Sequence, residues 1–107
     1  MLLGGAWGIP PRGSRNMYGV LFKAPLLANT AGIQTVLRQQ AGYWMFAPGA
    51  WLVSSDLTAA DLNSQIMAVA PVGAQVFVFQ AGPWWSSSLP EGSTEIQWVR
   101  ANWPPVS

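Results

Sequence analysis

The chain carries few groups that could do acid–base or nucleophilic chemistry. Its acids are Asp56, Asp61, Glu91 and Glu95 alone, and it has no histidine and no cysteine. Enzymes working near neutral pH recruit mostly His, Cys or a tuned carboxylate pair, so this inventory excludes most mechanisms. Asp56 and Asp61 are five residues apart and could be imagined as a metal pair. Asp61, however, stands three residues after Thr58, where an acid caps a helix start and complements its dipole. Glu91 and Glu95 flank a Gly-Ser-Thr turn and read as a solvated loop acid and a helix N-terminal acid. Ser86, Ser87 and Ser88 have no general base beside them. The glycines at 4, 5 and 8 lack the strand before and the Lys-Ser/Thr after that a phosphate loop needs. The expectation is a non-catalytic chain with no metal and no cofactor. Lys23 is a candidate anion contact, because it ends an apolar strand where a helix N-terminus near residues 29–31 would also favour an anion. As a surface lysine laid along apolar neighbours it needs no ligand at all.

What the chain has in place of titratable groups is tryptophan: Trp7, Trp44, Trp51, Trp84, Trp85, Trp98 and Trp103. Tryptophan is seldom fully buried and is enriched at interface hot spots. Trp84, Trp85, Trp98 and Trp103 are the candidate interface residues, with Trp44 and Trp51 supporting them from the sheet. Three uses fit such a set. The rings could pack against a protein, line a pocket for a small apolar molecule, or stack the bases of single-stranded nucleic acid. The last suffers from charge. From Met17 onward three bases (Lys23, Arg38, Arg100) face four acids, whereas phosphate recognition wants a clustered basic face.

At 107 residues the chain supports a single domain. Only 8% of it is charged, against about 25% in ordinary soluble domains, so its surface must expose apolar area of the kind that marks contacts between proteins. Without cysteine there is no disulfide framework, and a cytoplasmic location is the default. No apolar run approaches the ~18 residues of a membrane span.

The elements that must position these residues follow from patterning. Residues 1–16 are glycine- and proline-rich without periodicity and read as a flexible extension. The Pro-Arg-Gly-Ser stretch at 11–14 resembles a vector-derived junction, with Met17 as an alternative start. Residues 17–107 form the domain. A strand is expected at 18–23 (YGVLFK), then a helix capped by Asn29 and running to Gln40, with Ile33, Val36 and Leu37 on one face and Gly42 beyond its end. Residues 43–47 and 50–54 read as strands flanking a Pro48-Gly49 hairpin. Thr58 opens a second helix, with Leu57 and Leu62 placed as a hydrophobic staple and Leu62, Ile66 and Val69 on its apolar face. Residues 74–80 (AQVFVFQ) form a strand with valines on one side and phenylalanines on the other, a pattern of central or doubly covered strands. After a polar loop, residues 94–103 read as a short helix, with a fifth strand as the alternative. The order β-α-β-β-α-β is the ferredoxin-like α+β arrangement: a four-stranded antiparallel sheet with two helices on one face, plus here a short C-terminal element. Its second face wants a cover.

Four segments carry a resemblance: 18–22 (YGVLF), 50–56 (AWLVSSD), 57–62 (LTAADL) and 74–79 (AQVFVF), the last running on to Gly-Pro-Trp at 82–84. Together they resemble the SinR-like proteins related to the small CRISPR-associated, VapD-like ferredoxin-fold nucleases, which act as homodimers in spacer integration. The resemblance covers residues 17–103 and implies the fold and a tendency to dimerise. Nuclease members of that family hold a divalent metal on an aspartate at the end of the first strand. Here Lys23 stands near that place and no acid precedes Asp56, so the resemblance does not carry the nuclease site with it; Mg²⁺ requires oxygen ligands. The expectation is a homodimeric binding or assembly domain of the cytoplasm, with a protein partner, nucleic acid or a small apolar ligand as further candidates and no role at a membrane.

Overall fold

The computed structural model describes residues 15–82 and 86–103. Most of the expected extension and the Trp84–Trp85 pair lie outside the described residues. The strands are β1 (Asn16–Lys23), β2 (Gly42–Ala47), β3 (Ala50–Ser55) and β4 (Gln75–Gln80); the helices are α1 (Ala31–Arg38), α2 (Ala59–Met67) and α3 (Thr94–Asn102). The strands form one antiparallel sheet in the order β2-β3-β1-β4. This α+β architecture is consistent with a ferredoxin-like fold. The C-terminal element is a helix, α3, and not a fifth strand.

One face of the sheet carries the core. Tyr18 and Val20 of β1, with Trp51 and Val53 of β3, pack in a single cluster with Ile33, Val36 and Leu37 of α1 and Leu62 and Ile66 of α2. Val76 and Val78 of β4 close its edge. The period-2 alternation of the strands meets the helical spacing of both helices there, which is why both helices bury on the same side.

Local signals explain most boundaries. The Thr58 hydroxyl accepts from the Asp61 backbone N–H at 3.1 Å, so α2 starts where its cap dictates. Leu57 packs against the core and Leu62 is fully buried, as a staple requires. Val69 does not extend that face: it lies past the end of α2 and is 46% exposed. Helix α1 is shorter than its periodicity suggests and is preceded by Thr30, with the Asn29 side chain accepting from the Ala31 N–H at 2.9 Å. At its other end the Gln40 side chain donates to the Val36 carbonyl at 2.9 Å and accepts from the buried Ser55 hydroxyl at 2.7 Å. That bond ties the helix end to β3 and satisfies a hydroxyl that would otherwise be buried alone.

Gly42 is not a helix terminator. It is the first residue of β2, and a side chain there would meet the Asn102 amide oxygen of α3 at 2.7 Å. Its lack of a Cβ lets α3 approach the sheet. The expectation that β4 is central or doubly covered also fails, because β4 is an edge strand whose Phe77 and Phe79 are 61% and 41% exposed.

Candidate functional site

The second face of the sheet holds the features that the core does not explain. It divides in two. Over β2 and β3 lie α3 and the loop before it. Trp98 of α3 meets Trp44 of β2 with ring centroids 6.2 Å apart, and Trp44 makes an edge contact with Phe46 at 5.5 Å. Met17 and Ser54, cross-strand neighbours on this face, are buried. The C-terminal arm is held in place by polar bonds as well as rings. Arg100 of α3 donates to both carboxylate oxygens of Glu91 at 2.8 and 3.0 Å, a bidentate pair closing the loop onto the helix. That hydrogen bond and the guanidinium charge lower the Glu91 carboxyl below its ordinary range and raise Arg100. Ser93 caps α3, its hydroxyl accepting from the Ile96 N–H at 3.3 Å. The indole N–H of Trp103 donates to the Gly82 carbonyl at 2.9 Å.

The arm does not lie flush. Between it and the sheet is an open cavity of about 380 Å³. Trp44, Phe46 and Leu52 form the sheet wall, Val99 and Trp103 the helix wall. The backbone turn from Ser86 to Leu89 makes the third side, held by a 2.8 Å bond from the Leu89 N–H to the Ser87 hydroxyl. Among the described residues no lining side chain is charged.

The other half of this face, over β1 and β4, is open. Leu21 is 46% exposed, and Phe77 and Phe79 stand beside each other with centroids 5.6 Å apart. Phe79 lies across Gly19, where a Cβ would come within 2.2 Å of its ring. Two loops also stand at the end of the sheet where β1 stops and β4 starts. Leu26 and Leu27 follow β1 and Val72 precedes β4, and all three are more than 90% exposed. The loops touch: a Cβ on Gly73 would come within 2.9 Å of the Pro25 ring. Leu27 sits at φ 70°, a left-handed conformation costly for a leucine.

The tryptophans expected to act together are split. Trp44, Trp98 and Trp103 gather at the cavity. Trp51 does not join them: it is 2% exposed, within the helix-facing core, 6.0 Å from the Tyr43 ring and 5.6 Å beneath the Arg38 guanidinium carbon. A β-bulge between Met45 and Ala47 separates it from Trp44. Ala47 pairs with Ala50, but Met45 pairs with Trp51 and Trp44 with Leu52, so the one-residue shift puts the two indoles on opposite faces. Lys23 is exposed at the end of β1, opposite Gln75 on the open half. Sequence reasoning missed Phe77, Phe79, Leu26, Leu27 and Val72. The signal for the β4 pair was present in its two apolar faces and was assigned to burial.

Asp56 lies 3.6 Å from the Arg15 guanidinium and Asp61 within the first turn of α2. Among the described residues no three potential metal ligands come together, and no helix is long and apolar enough to cross a membrane. No family of known proteins, no curated protein and no solved structure matches the chain.

Proposed function

We propose that the chain is a ferredoxin-like, non-catalytic assembly domain that forms a homodimer through the open β1–β4 half of its second face and the adjoining loop tips. One observation carries this reading: Leu26, Leu27 and Val72 are almost fully exposed at the end of the sheet where β1 stops and β4 starts, with Leu27 at φ 70°, and β4 leaves its Phe77–Phe79 pair half-exposed. Strained, solvated leucines gain nothing in an isolated chain, whereas a partner surface gives them something to pack against. Together these side chains expose on the order of 500–700 Å² of apolar surface, more than most monomers leave in one patch and close to the ~800 Å² each partner contributes to a standard interface.

A second copy of the chain is the partner that fits. The patch is nearly uncharged, so it meets itself across a two-fold axis without like-charge repulsion. The resemblance to the SinR-like and small CRISPR-associated proteins supports pairing of this kind, and Lys23 in place of an acid at the end of β1 argues against a shared metal site. Lys23 is also the one basic residue on β1 and β4, too little for a nucleic-acid face. A cytoplasmic location belongs to the same reading.

Light scattering coupled to size exclusion on the full chain tests it. The expected result is a dimer at micromolar concentration, with Phe77→Lys and Leu27→Asp each weakening association at least ~30-fold, as loss of a hot spot does. Both positions are exposed, so the variants stay folded. A monomeric parent chain, or variants that associate as the parent does, would refute the reading.

A further inference from the structure

The cavity under the C-terminal arm lies on the other half of the face, apart from the proposed self-association surface. We infer that it is a binding site for a small, neutral, planar aromatic molecule carrying one hydrogen-bonding group. Three features of its walls define that class.

The first is size. At about 380 Å³ it lies near the lower end of the ~300–1,000 Å³ found for small-molecule sites, room for one or two fused rings and too little for a nucleotide. The second is shape and surface. The indoles of Trp44 and Trp103 and the Phe46 ring stand at its sides, with the Leu52 and Val99 side chains between them. Flat π-surfaces of this kind favour a flat ring set between or edge-on to them. The third is charge. Among the described residues no lining side chain is ionisable, and the ion pair of the arm, Glu91 with Arg100, is internally satisfied in a bidentate pair. A charged ligand would give up its hydration in this site and gain no counter-charge, so the site selects against ions.

The polar end of the ligand is set by the loop. The Ser87 hydroxyl oxygen already accepts from the Leu89 N–H but keeps its proton to donate, and Ser86 and Ser88 flank it. The serine loop is one wall of the cavity, opposite the apolar sheet wall. A ring with a single hydroxyl, amide or carbonyl at one edge matches that asymmetry. The arm also supplies a way in. Its closure buries Ile96 and Val99 of α3 and adds the contacts of Trp98 with Trp44 and of Trp103 with Gly82, and none of these α3 residues belongs to the core cluster beneath α1 and α2.

A matched pair of probes tests the inference on the full chain: 2-naphthol, neutral at pH 7, and naphthalene-2-sulfonate, the same ring bearing a charge. Isothermal titration should give saturable binding of the naphthol at one molecule per chain. The sulfonate should bind at least tenfold more weakly. Leu52→Trp fills the cavity from the sheet, and Ser88→Trp fills it from an exposed loop position that cannot disturb the core; each should weaken naphthol binding at least tenfold. Light scattering on the same samples reads the oligomeric state separately, so the ligand site and the self-association surface stand or fall independently. Absence of saturable naphthol binding, equal affinity for the two probes, or undiminished binding by a folded Ser88→Trp chain would each overturn the assignment.

Discussion

Gly19 and Phe79 offer a sharp test of how the open half of the sheet is built. Gly19 lies in the middle of β1 between β3 and β4, its missing side chain directly under the Phe79 ring, its cross-strand partner. A Cβ there would fall 2.2–2.8 Å from three ring atoms, so Gly19→Ala must push the ring off the strand. The displaced atoms are the far end of a flexible side chain, so the backbone can stay and the ring swings into solvent. Phe79 is 41% exposed and therefore 59% covered. Taking ~200 Å² for a phenylalanine, about 120 Å² of apolar contact is at stake, worth at most ~3 kcal/mol at ~25 cal/mol/Å². The ring recovers part of that against Phe77, so a loss of about 1–2 kcal/mol is expected. Phe79→Ala alone should cost a similar amount. In the Phe79→Ala background, Gly19→Ala should become neutral or stabilising by about 0.5–1 kcal/mol, because alanine restricts the unfolded chain more than glycine does. The cycle should therefore show a coupling of about 1.5–2.5 kcal/mol between the two sites. Urea unfolding followed by far-UV circular dichroism measures it, read as a shift of midpoint at constant slope and repeated at two protein concentrations to separate association from folding. Additive effects, or a Gly19→Ala chain as stable as the parent, would show that the ring does not lie on the glycine.

Two further outcomes follow from local bonds. Thr58→Ala removes the acceptor for the Asp61 N–H and should destabilise the chain by about 1 kcal/mol, whereas Thr58→Ser should restore most of it; thermal unfolding distinguishes them. The Glu91–Arg100 pair makes the arm sensitive to acid. Because Arg100 holds the Glu91 carboxyl below the ordinary 4.5, the stabilisation it gives is complete above that value and is lost as pH falls through the lowered one. Near-UV circular dichroism of the arm's tryptophans should change over that acid range. The change should shrink in Arg100→Met and at high salt, since both side chains of the pair are exposed to solvent.

What could be read from the residues was local. Thr58, Asp61, Leu57 and Leu62 specify the start of α2 through contacts within five residues, and α2 starts there. The alternation in 74–80 correctly separated valines from phenylalanines. It could not say which side was covered, because that depends on α2 packing against the valines and on α3 docking over β2 and β3 instead of β4. Gly42 shows the same limit: a glycine after a helical run is as good a terminator as it is a gap for a distant helix, and only the docking of Asn102 decides. The separation of Trp44 from Trp51 turns on a bulge. A plain two-residue hairpin at Pro48-Gly49 would carry both indoles on one face; the extra residue between Met45 and Ala47 sends one to the core and the other to the cavity.

The cavity and the open face have a common origin. A four-stranded sheet with two helices on one side leaves its whole second face to be covered, and this chain spends nine helical residues on it. A helix with its side chains is about 10 Å across, two strand spacings of about 4.8 Å, and α3 sits over β2 and β3. One half of the face is therefore covered and the other is left open. Because large rings mediate the covered half, the helix stands away from the strands wherever the rings do not interlock, and a space remains between Trp44, Leu52 and Trp103. Filling the cavity should leave the open half unchanged, and blocking the open half should leave the cavity unchanged. The two proposed recognition surfaces thus share one sheet, divided along the row in which Trp44 and Leu52 of the covered half give way to Gly19 and Phe79 of the open one.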